Sequence, residues 1–182
     1  MANRQSPVSL DEAKEHLRVV HTDDDMYITT LLLAATKWAE DYQRRIYVTR
    51  SVTDYMDGWS TVIRPVYSPL LTVTSIKYLD TDGTQQTLDA ANYRVDINTE
   101  PGRITEAYDC SWPDIRYVTN TIEIAYTAGY GTAAAVPDDV KVAIMQIVGH
   151  FYEHREVVSE MKLDNVPFSA KELLWTDRLV KL

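Results

Sequence analysis

Apolar and polar positions along the chain follow two rhythms, a helical one at each end and a strand one between. Ser9-Leu10-Asp11-Glu12 has Ser at a helix N-cap and Glu three residues on, a capping box that predicts a short helix to about Arg18. Ile28, Leu31, Leu32, Ala35, Trp38, Ala39 and Tyr42 recur at three- and four-residue spacing, predicting a second helix to about Arg45. Asp23, Asp24 and Asp25 stand where that helix begins, and carboxylates there complement its exposed amides and dipole. Arg44 and Arg45 close the other end, which favours cations.

From Tyr47 to about Tyr126 the rhythm shortens to two. Val48, Val52 and Met56 alternate with polar neighbours, as do Thr74, Ile76 and Tyr78, and Ile122, Ile124 and Tyr126. Asp80-Thr81-Asp82-Gly83 reads as a hairpin turn. A strand over 92–97 presents Tyr93, Val95 and Ile97 on one face, and Glu100-Pro101-Gly102 turns it back towards Ile104. Pro65 and Pro69 make the stretch around them a poor central strand. Helix returns with Pro137 at the first helical position and Val140, Ile144, Ile147, Val148 and Phe151 as a buried stripe, continuing to roughly Val158. Ser169 with Glu172 forms a second capping-box pattern before Leu173, Leu174 and Trp175.

These elements predict an α+β fold: a helical body with an inserted antiparallel β region. Residues 1–46 supply the N-terminal helices, 47–131 the β insertion, 132–160 the long helix completing the body, and 161–182 a C-terminal arm with a short helix. No internal repeat or low-complexity run interrupts the plan.

Composition narrows the function. The 182 residues are 45% hydrophobic and 25% charged, with a formal net charge of −9. Such acidity argues against gripping nucleic acid, which needs clustered Lys and Arg. It suits a wall that DNA slides past. The single cysteine, Cys110, excludes an internal disulfide framework and fits synthesis in a reducing cytoplasm. The first residues have no apolar signal core, and no stretch approaches the ~18 apolar residues of a membrane span, so a soluble protein without export signal is expected.

The sharpest catalytic pattern is His150-Phe151-Tyr152-Glu153-His154, a match to the H-x-x-E-H of inverted zinc peptidases. On a helix both imidazoles could reach one metal, but a third ligand and an open position are needed. Only Glu156, Glu160, Asp164, Glu172 and Asp177 follow as carboxylates, with no second domain to shape a cleft. The simpler reading puts these polar groups on the outer side of the helix, and no metal or cofactor is expected. Gly129-Tyr130-Gly131 lacks the third glycine and lysine of a phosphate cradle, and reads as a strand-to-helix turn needing positive φ at one or both glycines. Asp23-Asp24-Asp25 lacks calcium-loop spacing. Cys110 has no neighbouring histidine in sequence to activate it. The many aromatics suit a core, and a set left exposed would point to protein contacts.

Four segments in order carry a resemblance: Ser9-Leu10-Asp11-Glu12-Ala13-Lys14-Glu15-His16-Leu17-Arg18, Trp112-Pro113, Ile124-Ala125-Tyr126-Thr127-Ala128-Gly129-Tyr130-Gly131, and His150-Phe151-Tyr152-Glu153-His154-Arg155-Glu156. From residue 8 to about 160 the chain resembles the head–tail connector (adaptor) proteins of tailed phages, in the branch with a β insertion between its helices. In that family the position of His154 is often asparagine, which would disable a zinc pair. The resemblance implies a non-enzymatic virion subunit without cofactor, made in the host bacterial cytoplasm and placed in the neck. It implies a ring, usually of twelve copies, below the portal protein and above a stopper or tail-completion protein, with double-stranded DNA passing through. Tyr152, Arg155 and Glu156 are the candidate protomer contacts, and Leu173, Leu174 and Trp175 a candidate arm docking on the portal or an adjacent protomer. Two other readings remain: a small metal-dependent hydrolase using His150, Glu153 and His154, or a glycan- or host-binding β module.

Overall fold

The computed structural model of the chain describes residues 4–154 and 166–179. These divide into two compact units, Thr49–Gly129, and 4–48 with 130–154 and 166–179. Among the described residues they hold four α-helices and antiparallel sheets, an α+β fold.

The discontinuous unit is helical. α1 (Leu10–Leu17) starts with the capping box that its sequence specifies: Ser9 Oγ accepts from the Glu12 N–H, and the Glu12 carboxylate accepts from the Ser9 N–H. α2 (Asp25–Gln43) begins within the aspartate run, with Asp24 at the N-cap. It ends at Arg44, left-handed at φ 58°, whose N–H returns to the Glu40 carbonyl. The third helix, α3 (Asp138–Glu153), shifts by one residue from expectation: Pro137 is its N-cap, extended at ψ 142°, and its carbonyl accepts from Lys141. Beyond His154 the expected continuation to Val158 falls outside the described residues.

α4 (Phe168–Trp175) corrects a sequence expectation. Pro167 starts the helix, so Ser169 lies inside the first turn and forms no capping box; its hydroxyl donates to Gln146 Oε1 of α3 at 2.9 Å. α1 and α4 each pack on the α2–α3 pair. Ile28, Leu32, Ala35, Ala39, Val140, Ile144, Ile147, Val148 and Leu174 are the buried centre. Full burial of one such aliphatic side chain contributes roughly 1.5–3 kcal/mol.

The continuous unit is a four-stranded antiparallel sheet in the order β1 (Arg50–Met56), β6 (Ile122–Ala128), β2 (Leu70–Leu79), β3 (Gln85–Thr87). β4 (Tyr93–Asp96) and β5 (Arg103–Glu106) form a separate hairpin. Period-two burial is cleanest on β6, where Ile122, Ile124, Tyr126 and Ala128 all point inward. On β2 the expected face is interrupted. A register irregularity between Val73 and Ser75 leaves Thr74 exposed while Ile76 is fully buried. The Asp80 hairpin forms, with Gly83 at φ 86° and Asp80 Oδ1 accepting from the Asp82 and Thr84 N–H groups. The residues between β5 and β6, 107–121, carry no regular element; Trp112 pins them by stacking on Trp59 at 4.7 Å, with an 8° interplanar angle. Each indole N–H donates to a backbone carbonyl, Trp59 to Pro113 and Trp112 to Ser60.

Candidate functional site

The zinc-like triplet lies at the end of α3, and its geometry is local. His154 is the C-cap, and its ring Nδ1 is 2.9 Å from the His150 carbonyl oxygen. The two imidazoles face each other at 4.5 Å between centroids. Among the described residues no group of three His, Cys, Asp or Glu side chains is placed to hold a metal ion. The half-buried Cys110 thiol lies 3.9 Å from Asn92 Oδ1.

Tyr152, a candidate protomer contact, is half-buried. Its hydroxyl donates to Asp24 Oδ2 and its ring lies 6.1 Å from that of Tyr27, so it ties the end of α3 to the start of α2. Asp25 accepts from Lys14 Nζ at 2.6 Å, so the aspartate run serves tertiary contacts as well as the helix end. Arg155 and Glu156 lie outside the described residues.

The three arm residues separate by depth. Leu174 is fully buried, Leu173 packs partly against the same core, and Trp175 is 56% exposed. The arm is held by a polar knot at the end of α2 that the sequence reading did not single out. Glu40 is buried; its Oε2 accepts from Arg4 Nε at 2.7 Å and its Oε1 from the Tyr47 N–H at 3.0 Å. The Tyr47 hydroxyl donates to Gln43 Oε1, and Gln43 Nε2 donates to the Leu174 carbonyl. Arg45 Nε reaches the Asp177 carbonyl, and the Leu179 N–H the Gln43 carbonyl. Burial, with the Glu40 carboxylate beside it, pushes the Tyr47 hydroxyl far above its ordinary range, so it remains a donor. Thr36, Glu40 and Gln43 are polar residues recurring at helical spacing inside an apolar stripe, and that is the signal by which they are found.

Outside this knot lies an aromatic and cationic ladder. Trp38 stacks on Tyr42 at 5.0 Å, and the Arg178 guanidinium lies 4.6 Å from the Tyr42 centroid and 5.3 Å from that of Trp175. The same unit carries a cleft of about 310 Å³ lined by Val8, Glu12, Glu15, His16, Lys141 and Met145. Hydrogen bonds from the Ser9 hydroxyl and N–H hold Glu12 below its ordinary range, which keeps that rim anionic.

Gly129 and Gly131 both take the left-handed region, at φ 133° and 124°, with Tyr130 between them donating its N–H to the Tyr47 carbonyl.

In the β unit, Tyr108 and Tyr117 are 95% and 88% exposed, whereas Trp59 and Trp112 are fixed against each other. Asp54 accepts at one oxygen from the Val66 N–H and the Tyr126 hydroxyl. Burial lifts its pKa above the ordinary aspartate range despite those bonds. A raised folded value means that this group's stabilising contribution is complete below the unfolded pKa and lost as pH rises through the folded one. Asp54→Asn is therefore expected to melt above the parent at neutral pH, the gap closing on acidification. Thermal melts of both proteins between pH 7 and 4 check this; a gap independent of pH contradicts it. Asp80 and Asp96, whose values are lowered by hydrogen bonds, act in the opposite sense and cancel in the difference.

Comparison with known proteins adds a family. Residues 8–164 match the family described as Head completion protein. No curated protein matches. Three similar solved chains come from gene transfer agent particles. One is from the neck of the empty particle computed with C6 symmetry (TM-score 0.78, 23% identity), and one from the virion of the native particle (0.79, 23%). The third is from the neck of the native particle computed with C12 symmetry (0.76, 24%). In each case the match covers 100% of this chain and 97% of the other. At these identities the structural likeness establishes the fold.

Proposed function

The chain belongs to the head completion protein family, which makes it a structural head–tail connector subunit, and from that premise we propose that copies of it close into a ring in the neck of a tailed particle. The ring, of twelve copies, sits below the portal protein and above a stopper or tail-completion protein, and it extends the channel for double-stranded DNA. The observation that carries this reading is the family match across residues 8–164, joined by a fold shared over its full length with chains from particle necks of C6 and C12 symmetry.

The physical features agree. A net charge of −9 suits a channel wall that repels phosphate and leaves DNA mobile. Tyr108, Tyr117 and Trp175 offer exposed aromatic area of the kind enriched in protein interfaces. The arm is the candidate docking element for the portal or a neighbouring protomer, with Trp175 and not Leu173 or Leu174 as its outward anchor. The reading includes no reaction: Nδ1 of His154 is engaged with its own helix backbone. Among the described residues, no helix is long and apolar enough to cross a membrane.

Deleting the gene and imaging the particles tests the assignment. DNA-filled heads that leak or lack tails are expected, restored by the chain supplied in trans. Normal tailed particles would end the reading.

A further inference from the structure

We propose that, in the ring, the Trp175–Arg178 end of one copy's C-terminal segment seats in the cleft between α1 and α3 of the next copy. This rests on the ring reading above and names its subunit contact.

A closed ring is built from heterologous contacts, so each subunit must carry a projection on one flank and its complement on another. The helical unit has both. Its projection is Trp175, 56% exposed, with Arg178 laid against its ring at 5.3 Å: an apolar plate with an attached cation. Gln43 and Arg45 anchor the backbone around it, so little ordering entropy remains to be lost on docking.

The recess has the matching chemistry. Buried Val8 and half-buried Met145 give it an apolar side, and exposed Glu12, Glu15 and His16 line its mouth. Lys141 also lines it, shared between Asp138 at 3.8 Å and the Glu12 carboxylate, which leaves Glu15 as the carboxylate offered to an incoming cation. A volume of about 310 Å³ suits one large side chain, and Glu15 beside apolar Val8 and Met145 suits an aromatic carrying a cation.

The two features occupy different flanks. On α3, Lys141, Met145 and Gly149 follow one stripe, and Gly149 lies against His16 and Leu17 of α1. Gln146, which holds Ser169 of α4, is about 100° further round the helix. Within one copy α4 packs on α2 and α3 and Trp175 stays exposed outside the cleft, which leaves the cleft open to the arm of the next copy.

The test is a crosslink in assembled particles. Glu15→Cys and Arg178→Cys are introduced together in a Cys110→Ser chain, particles are treated with a short bis-maleimide, and the products are resolved by mass. A ladder of multiples of this chain, absent from either single-cysteine protein, is the expected result. In parallel, Glu15→Arg or Arg178→Glu should each lower incorporation into necks about 10-fold, and the two together should restore it. If necks contain the chain but give no ladder, or only a product with another neck protein, this contact is wrong and the ring stands. Necks assembled without the chain would bring down the ring reading and the contact together.

Discussion

Gly129→Ala is expected to destabilise the β unit by about 3 kcal/mol, lowering the melting temperature of the 182-residue chain by roughly 6–12 °C. Two costs add. The residue sits at φ 133°, where an L side chain is strained by about 1–3 kcal/mol. A Cβ there would stand 2.6 Å from Thr49 Cα and 2.8 Å from Thr49 N, and these are backbone atoms that cannot swing aside. Relief would have to come from the Gly129 N–H bond to the Pro69 carbonyl, or from the pairing of Arg50 with Ala128 one residue further along. Two companion substitutions separate the costs. Gly131→Ala keeps a positive φ of 124° but meets only Ala135 Cβ at 3.4 Å, so it should show the conformational strain alone, about 1–2 kcal/mol. Gly58→Ala meets nothing within 4 Å and should change stability little. Thermal unfolding of the three variants checks the order. Equal losses at 129 and 131 would show that the Thr49 contact contributes nothing.

These glycines also show where sequence reasoning reached and where it stopped. A turn that needs positive φ is a local demand, and Gly-Tyr-Gly states it within three residues. The Ser9–Glu12 box and the Ile122, Ile124, Tyr126 alternation are local in the same sense, and both form as their spacing predicts. Ser169–Glu172 repeats the box pattern yet fails, because Pro167 starts the helix two residues earlier and carries Ser169 past the cap. One local signal overrode another. What was illegible is the pairing of distant residues. Trp59 gives no sign that Trp112 will stack on it, and nothing near Asp54 announces the Tyr126 hydroxyl from another strand. Tyr152, a candidate contact for another subunit, also packs within its own chain, because helical periodicity gives only its own face and not the approach of Asp24 and Tyr27. The same limit hid the placement of the arm: Leu173, Leu174 and Trp175 are adjacent and apolar, and only packing assigns the second to the core and the third to solvent.

The buried Glu40 is the clearest case of a residue whose role depends on such pairing, and Glu40→Ala is expected to cost the helical unit about 3–5 kcal/mol. The loss has three parts. The Tyr47 N–H, in a residue with no exposure, is left without its acceptor at about 1–3 kcal/mol. Arg4 loses the carboxylate that holds the N-terminal segment. A cavity opens where the side chain stood. Glu40→Gln keeps an acceptor for Tyr47 and a polar partner for Arg4, and should cost about half as much. The knot also predicts a second readout. Gln43 and Arg45, one turn on, hold the Leu174 and Asp177 carbonyls, so loosening the end of α2 should free the arm before the whole unit melts. Limited proteolysis of Glu40→Ala well below its melting temperature should therefore cut the C-terminal segment faster than in the parent, while Glu40→Gln lies between. Equal proteolysis in all three, with a lowered melting temperature, would mean that the arm is seated by Leu174 and Ala170 alone and owes nothing to the polar network beneath it.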